Sequence, residues 1–164
     1  MTHILAINAG ILVGVILALW AISVRIRDVS FIDSFWPLGM VMLAATTFLQ
    51  AEDGAPGRKL LILALTSVWG LRLSIHLFTR WRAEGEDPRP SLVLSTLAAS
   101  LLLVFAMQAP LLFIVCLPAQ LGQLAAEPAS TGWLAFAGKC LVLVGIGFET
   151  IGDWQLRRFR ADAA

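Results

Sequence analysis

The sequence predicts an all-α integral membrane bundle of about five transmembrane helices. Three observations predict it. Of the 164 residues, 59% are apolar and 14% are charged, against roughly 45–50% and about 25% in a soluble domain. Mean hydropathy is +0.83, and the apolar residues fall into runs near the ~20 residues that a bilayer demands. None of the runs alternates as a strand does, and an open sheet cannot span lipid. The same hydropathy excludes disorder. A net charge of +1 offers no basic field for nucleic acid. Cys116 and Cys140 lie in apolar runs and make neither a disulfide framework nor a metal-site spacing. His3 and His76, the two histidines, are not at ligand spacing, so no metal is expected. The length fits a single transmembrane domain over 1–164.

The first run is Ile4 to Val24, closed by Arg25-Ile26-Arg27-Asp28. Its start, Met1-Thr2-His3, lacks a basic region ahead of the apolar core, so it reads as a retained span rather than a cleaved signal. Ala6, Gly10, Gly14 and Ala18 recur every fourth residue and permit close helix approach, here expected within its own bundle. The second run is about Phe31 to Gln50, followed by a polar turn, Ala51 to Arg58. The third, Lys59 to Thr79, leads into the most charged stretch of the chain, Arg80 to Arg89. The fourth is about Leu92 to Leu117, and the fifth about Trp133 to Ile151, before the basic tail that holds Arg157, Arg158 and Arg160.

Loop charges orient the bundle. The N-terminal side carries Arg58 and Lys59; the other side carries Arg25, Arg27, Arg80, Arg82, Arg89, Arg157, Arg158 and Arg160. The positive-inside rule puts the arginine-rich side in the cytoplasm, the N-terminus outside and the C-terminus cytoplasmic. Trp20, Trp81 and Trp154 near one side and Trp133 near the other fit interfacial belts.

Ionisable residues in or at the ends of the spans are the informative ones: Asp33, Arg72, His76, Lys139, Glu149 and Asp153. Each costs ~2.5–3.5 kcal/mol or more facing lipid at mid-bilayer. Lys139, near the N-terminal side, can snorkel. The others lie within two turns of the cytoplasmic side. Arg72 and His76 are i, i+4, as are Glu149 and Asp153, so the third helix presents a cationic and imidazole edge and the fifth a carboxylate edge. Charge complementarity leads to the expectation that these edges meet, with Asp33 as a third partner and Gln108 a deeper amide. Plainer readings stand beside this one. Asp33 or Ser34 could cap the second helix, Arg72 with Glu149 or Asp153 could be a structural ion pair, and His76 could be a hydrogen-bonded bundle residue.

Four segments in order, RDVSFIDSFWPLG at 27–39, WGLRLSIHL at 69–77, GEDPR at 85–89 and FETIGDWQ at 148–155, resemble a bacterial membrane family of unknown function related to steroid 5α-reductases. The resemblance implies an NADPH-dependent reductase of an activated carbon–carbon double bond, acting on a steroid-like or lipid substrate in the bacterial cytoplasmic membrane. It implies that Glu149 and Asp153, matching an Asn-x-x-x-Asp pattern with Glu in place of Asn, hold the cofactor with Arg157 and Arg158. By the same resemblance Asp33, Arg72 and His76 line the catalytic cavity. The chain also departs from the family. It has no Tyr, and it lacks the Arg-His-Pro-Asn-Tyr motif that contributes to the nucleotide site. The expectation is therefore an N-terminal part of a longer enzyme, without its C-terminal cofactor-binding part and inactive by itself. A membrane methyltransferase of similar architecture using S-adenosylmethionine, and a non-catalytic membrane scaffold, are the alternatives.

Overall fold

The computed structural model describes residues 1–26, 28–84, 101–126 and 132–162, and among these every regular element is helical. We label them α1 (Thr2–Ile26), α2 (Ile32–Gln50), α3 (Pro56–Glu84), α4 (Ala106–Leu124, entered through a π-helical turn at Leu101–Phe105) and α5 (Trp133–Asp162). All five are long and apolar enough to cross a membrane, as the sequence leads one to expect. The charged stretch 85–89 and the start of the expected fourth span lie outside the described residues. The chain divides into two compact units, Met1–Glu127 and Pro128–Ala164.

In the first unit α2 is the central helix and touches α1, α3 and α4. The contacts at its two ends fix the topology. At one end Asn8 of α1 meets Thr47 of α2 and Gln120 of α4. At the other, Phe31, just before α2, packs against Trp81 near the end of α3 and Phe105 just before α4. So α1 and α3 run one way, and α2 and α4 return. Leu12, Ile16, Ile32, Leu43, Phe105, Leu112 and Cys116 form the buried core between them.

Two glycines let α2 sit this deep. A Cβ on Gly39 would stand 2.5 Å from Leu112 Cδ2 of α4, and one on Gly70 would stand 2.8 Å from the Pro37 carbonyl oxygen of α2. By contrast, Gly10 and Gly14 have nothing within 4 Å of such an atom, and the whole stripe Ala6, Gly10, Gly14, Ala18 is exposed. The expectation that this stripe packs within its own bundle fails for the first unit. The glycines used for close approach are on α2, α3 and α4, where Gly122 faces Ile62 of α3, because α1 turns its amide-bearing Asn8 face inward instead.

Helix ends also differ from the sequence expectation. The N-cap of α2 is Phe31, with no side-chain cap bond, so neither Asp33 nor Ser34 caps it. Helix α4 runs to Leu124, nearly two turns beyond Leu117, because Gln120 and Gln123 are buried rather than marking an exit into water. Helix α5, in the second unit, is continuous for 30 residues. Trp133 and Phe136 stack at its start, 5.6 Å between centroids.

Candidate functional site

The residues singled out in the sequence fall in both units. In the first, the register of α2 against α3 is set by Gly70 on Pro37 and by the Ser74 hydroxyl, which donates to the Ser34 carbonyl at 2.7 Å. That antiparallel register brings Asp33 level with Ser74 and Ile75, within two residues of His76, and Arg72 level with Phe35 and Trp36. Arg72 and His76 are half-buried, one turn apart on α3; Asp33 is exposed and within electrostatic reach of Arg80. The Trp36 indole N–H donates to Gln108 Oε1 of α4, so the deep amide expected near this end is tied to the central helix.

The outer edge of this end is held by Asp28. Its Oδ1 accepts the Ser30 backbone N–H at 2.7 Å, and its Oδ2 accepts the Trp81 indole N–H at 2.7 Å. Trp81 packs in turn on Phe31 and Phe78, with centroids 6.1 and 5.4 Å away.

In the second unit Glu149 and Asp153 stand one turn apart on α5, with Thr150 between them donating to the Ile146 carbonyl at 2.6 Å. Arg157 and Arg158 follow one turn later, and the Arg158 guanidinium lies over the Trp154 ring, 5.7 Å from its centroid. The i, i+4 spacings therefore place each pair on one face of its own helix.

Sequence reading missed a second polar centre, at the opposite end of the first unit. Asn8 is fully buried in α1; its Nδ2 donates to Thr47 Oγ1 at 2.7 Å and to Gln120 Oε1 at 2.9 Å. Gln50 Nε2 donates to Asn8 Oδ1 at 3.0 Å, and Thr47 Oγ1 donates to the Leu43 carbonyl at 2.7 Å. One amide thus links three helices. The available signal was an Asn near the start of one run and Thr and Gln residues near the ends of two returning ones.

Arg58 and Lys59, the two cations expected in the loop on this side, are not loose loop charges. Arg58 Nε donates to the Gly122 carbonyl at 2.9 Å, and its guanidinium also reaches the Ala125 carbonyl. Lys59 Nζ donates to the Ala51 carbonyl. These are the carbonyls that the last turns of α4 and α2 leave without an intrahelical partner, at the negative ends of those helix dipoles.

Two cavities bear on function. One, of about 230 Å³, is lined at the Asn8 end by Gln50, Glu52, Asp53 and Gly54. The other is an open groove of about 330 Å³ at the Asp28 end, between α1, α2 and α3. Among the described residues no cluster of His, Cys, Asp and Glu could hold a metal ion.

Comparison with protein families matches residues 19–164 to a family described as "Protein of unknown function (DUF1295)". Comparison with curated proteins and with solved structures returned no match.

Proposed function

The chain belongs to the DUF1295 family of multi-pass membrane proteins, and from that premise we propose that it serves as the membrane-embedded part of a reductase of the bacterial cytoplasmic membrane that uses NADPH to saturate an activated carbon–carbon double bond in a steroid-like or lipid substrate. The observation that supports this most is Arg72 and His76, half-buried one turn apart on a helix apolar enough to cross a membrane. Ionisable side chains within a span are costly to leave facing lipid, which makes them candidates for a functional site.

The chemistry of the donor set fits the cofactor. Its phosphates call for guanidinium partners, and Arg157 and Arg158 supply them at the end of α5. Glu149 and Asp153, a turn or two earlier, supply acceptors for hydroxyl and amide donors. When bound, the cofactor supplies the hydride. Toward the substrate, Arg72 offers fixed positive charge to an oxygen that becomes enolate-like, His76 holds or yields a proton, and Asp33 sets the charge of that end. The arginine-rich end faces the cytoplasm, by the positive-inside rule.

The test is titration of the purified full-length protein in detergent with NADPH and, separately, with S-adenosylmethionine. The expected result is micromolar NADPH binding, weakened at least tenfold when Arg157 and Arg158 are both replaced by Gln. NADPH consumption with an enone lipid should be lost in Arg72→Ala. Binding of S-adenosylmethionine without NADPH would overturn the reading in favour of a methyltransferase, and binding of neither would overturn it outright.

A further inference from the structure

The groove at the Asp28 end is walled by Leu19 of α1, Phe35 and Leu38 of α2, and Ile75 and Phe78 of α3. Ser34 and Ser74 are its two hydroxyl residues. Ser74 is satisfied, since its hydroxyl donates to the Ser34 carbonyl. Ser34 is not. Its side chain is 6% exposed, and its Oγ has no hydrogen-bond partner among the described residues. An apolar groove therefore carries one buried hydroxyl that lacks a hydrogen-bond partner, a state that is costly to leave unmet.

Depth identifies the missing acceptor. The 19 residues of α2 rise about 28 Å, close to the ~30 Å of a bilayer's hydrocarbon core. Ser34 is in the first turn of α2, so it stands at the boundary between hydrocarbon and headgroups. The glycerol ester carbonyls of a phospholipid lie at that boundary, with acyl chains on one side and phosphate on the other. The groove is open along the flank of the bundle: Leu38, Ile75 and Phe78 are all exposed, so a chain can enter sideways from the bilayer.

Charge identifies the headgroup. Arg25, in the last turn of α1, follows the groove residue Leu19 by six positions, and Arg82, in the last turn of α3, follows Phe78 by four. Arg80 follows Phe78 by two residues and lies within electrostatic reach of Asp33, next to Ser34. All three arginines are exposed. We propose that this groove binds one anionic glycerophospholipid, with an acyl chain along Leu38 and Ile75, an ester carbonyl accepting from Ser34 Oγ, and a phosphate-bearing headgroup among these arginines. The site does not depend on the reductase reading.

The test is native mass spectrometry of the full chain released from detergent after incubation with phosphatidylglycerol or with phosphatidylcholine of the same acyl chains. One retained phosphatidylglycerol per protein is expected, with much less phosphatidylcholine. Ser34→Ala should weaken retention about twofold to tenfold, the worth of one hydrogen bond. Ile75→Trp, at a position 63% exposed and so harmless to the fold, should fill the groove and abolish retention even if Ser34→Ala disturbs packing. Equal retention of the two lipids, or phosphatidylglycerol retention unchanged by Ile75→Trp, would overturn the proposal.

Discussion

The indole N–H of Trp81 donates to Asp28 Oδ2 at 2.7 Å, across 53 residues of sequence, and joins the end of α3 to the turn that starts α2. The carboxylate's other oxygen organises that turn through Ser30. One side chain therefore sets both the entry of α2 and the exit of α3.

Replacing Asp28 by Ala removes both bonds and strands the Trp81 N–H. A loss of about 1.5–3 kcal/mol is expected, the range for hydrogen bonds to a charged group. Thermal unfolding in detergent followed by tryptophan fluorescence reads it; Asp28→Asn, which keeps an acceptor, should lose less than half as much.

The amide centre makes a contrast between single and double replacements. Asn8→Leu alone leaves Thr47, Gln50 and Gln120 short of a partner and should cost about 1–2 kcal/mol, the upper range for polar contacts between membrane helices. Asn8→Leu with Gln120→Leu removes donor and acceptor together and should cost less than the sum, a coupling that a double-mutant cycle in denaturant detects.

Helix contacts predict opposite results at two glycines. Gly70→Ala puts a methyl 2.5 Å from Val41 Cγ2 and 2.8 Å from a backbone oxygen of α2, so it should destabilise by about 1–3 kcal/mol through overpacking. Gly10→Ala meets nothing within 4 Å and should shift stability by no more than about 0.5 kcal/mol. The two midpoints measured side by side check both.

Orientation is open to labelling. With Cys116 and Cys140 replaced, Asp53→Cys in the turn between α2 and α3 should react with a membrane-impermeant maleimide from outside the cell, and Ala83→Cys at the end of α3 only after permeabilisation. The reverse pattern would invert the topology.

The five helices were legible because length and hydropathy decide what can lie in lipid, and little else competes there. Their inward faces were less legible. Gly10 and Gly14 form a regular stripe and Gly39 and Gly70 do not, yet the latter two carry the close contacts. A single sequence gives spacing on one helix and says nothing of which neighbour that face meets. Asn8, Gln120 and Gln123 read as dilution of apolar runs, because hydropathy averages a buried amide with its neighbours. The same holds for the charged residues: spacing puts Arg72 with His76, and Glu149 with Asp153, on one face each, whereas tertiary register is what sets Asp33 within two residues of the depth of His76.

The Asn8–Gln120 bond spans 112 positions, which has a consequence for biogenesis. The first helix leaves the ribosome long before the fourth, and until then its buried amide has no α4 partner to accept from it. Lipid is a poor host for an unpaired amide, so α1 and α2 should linger beside the insertion machinery, sharing the Asn8–Thr47 bond, until α4 arrives. Completion of the bundle is then a late event keyed to one residue, and a ribosome stalled before codon 120 should leave an inserted but incompletely folded chain exposed to membrane proteases.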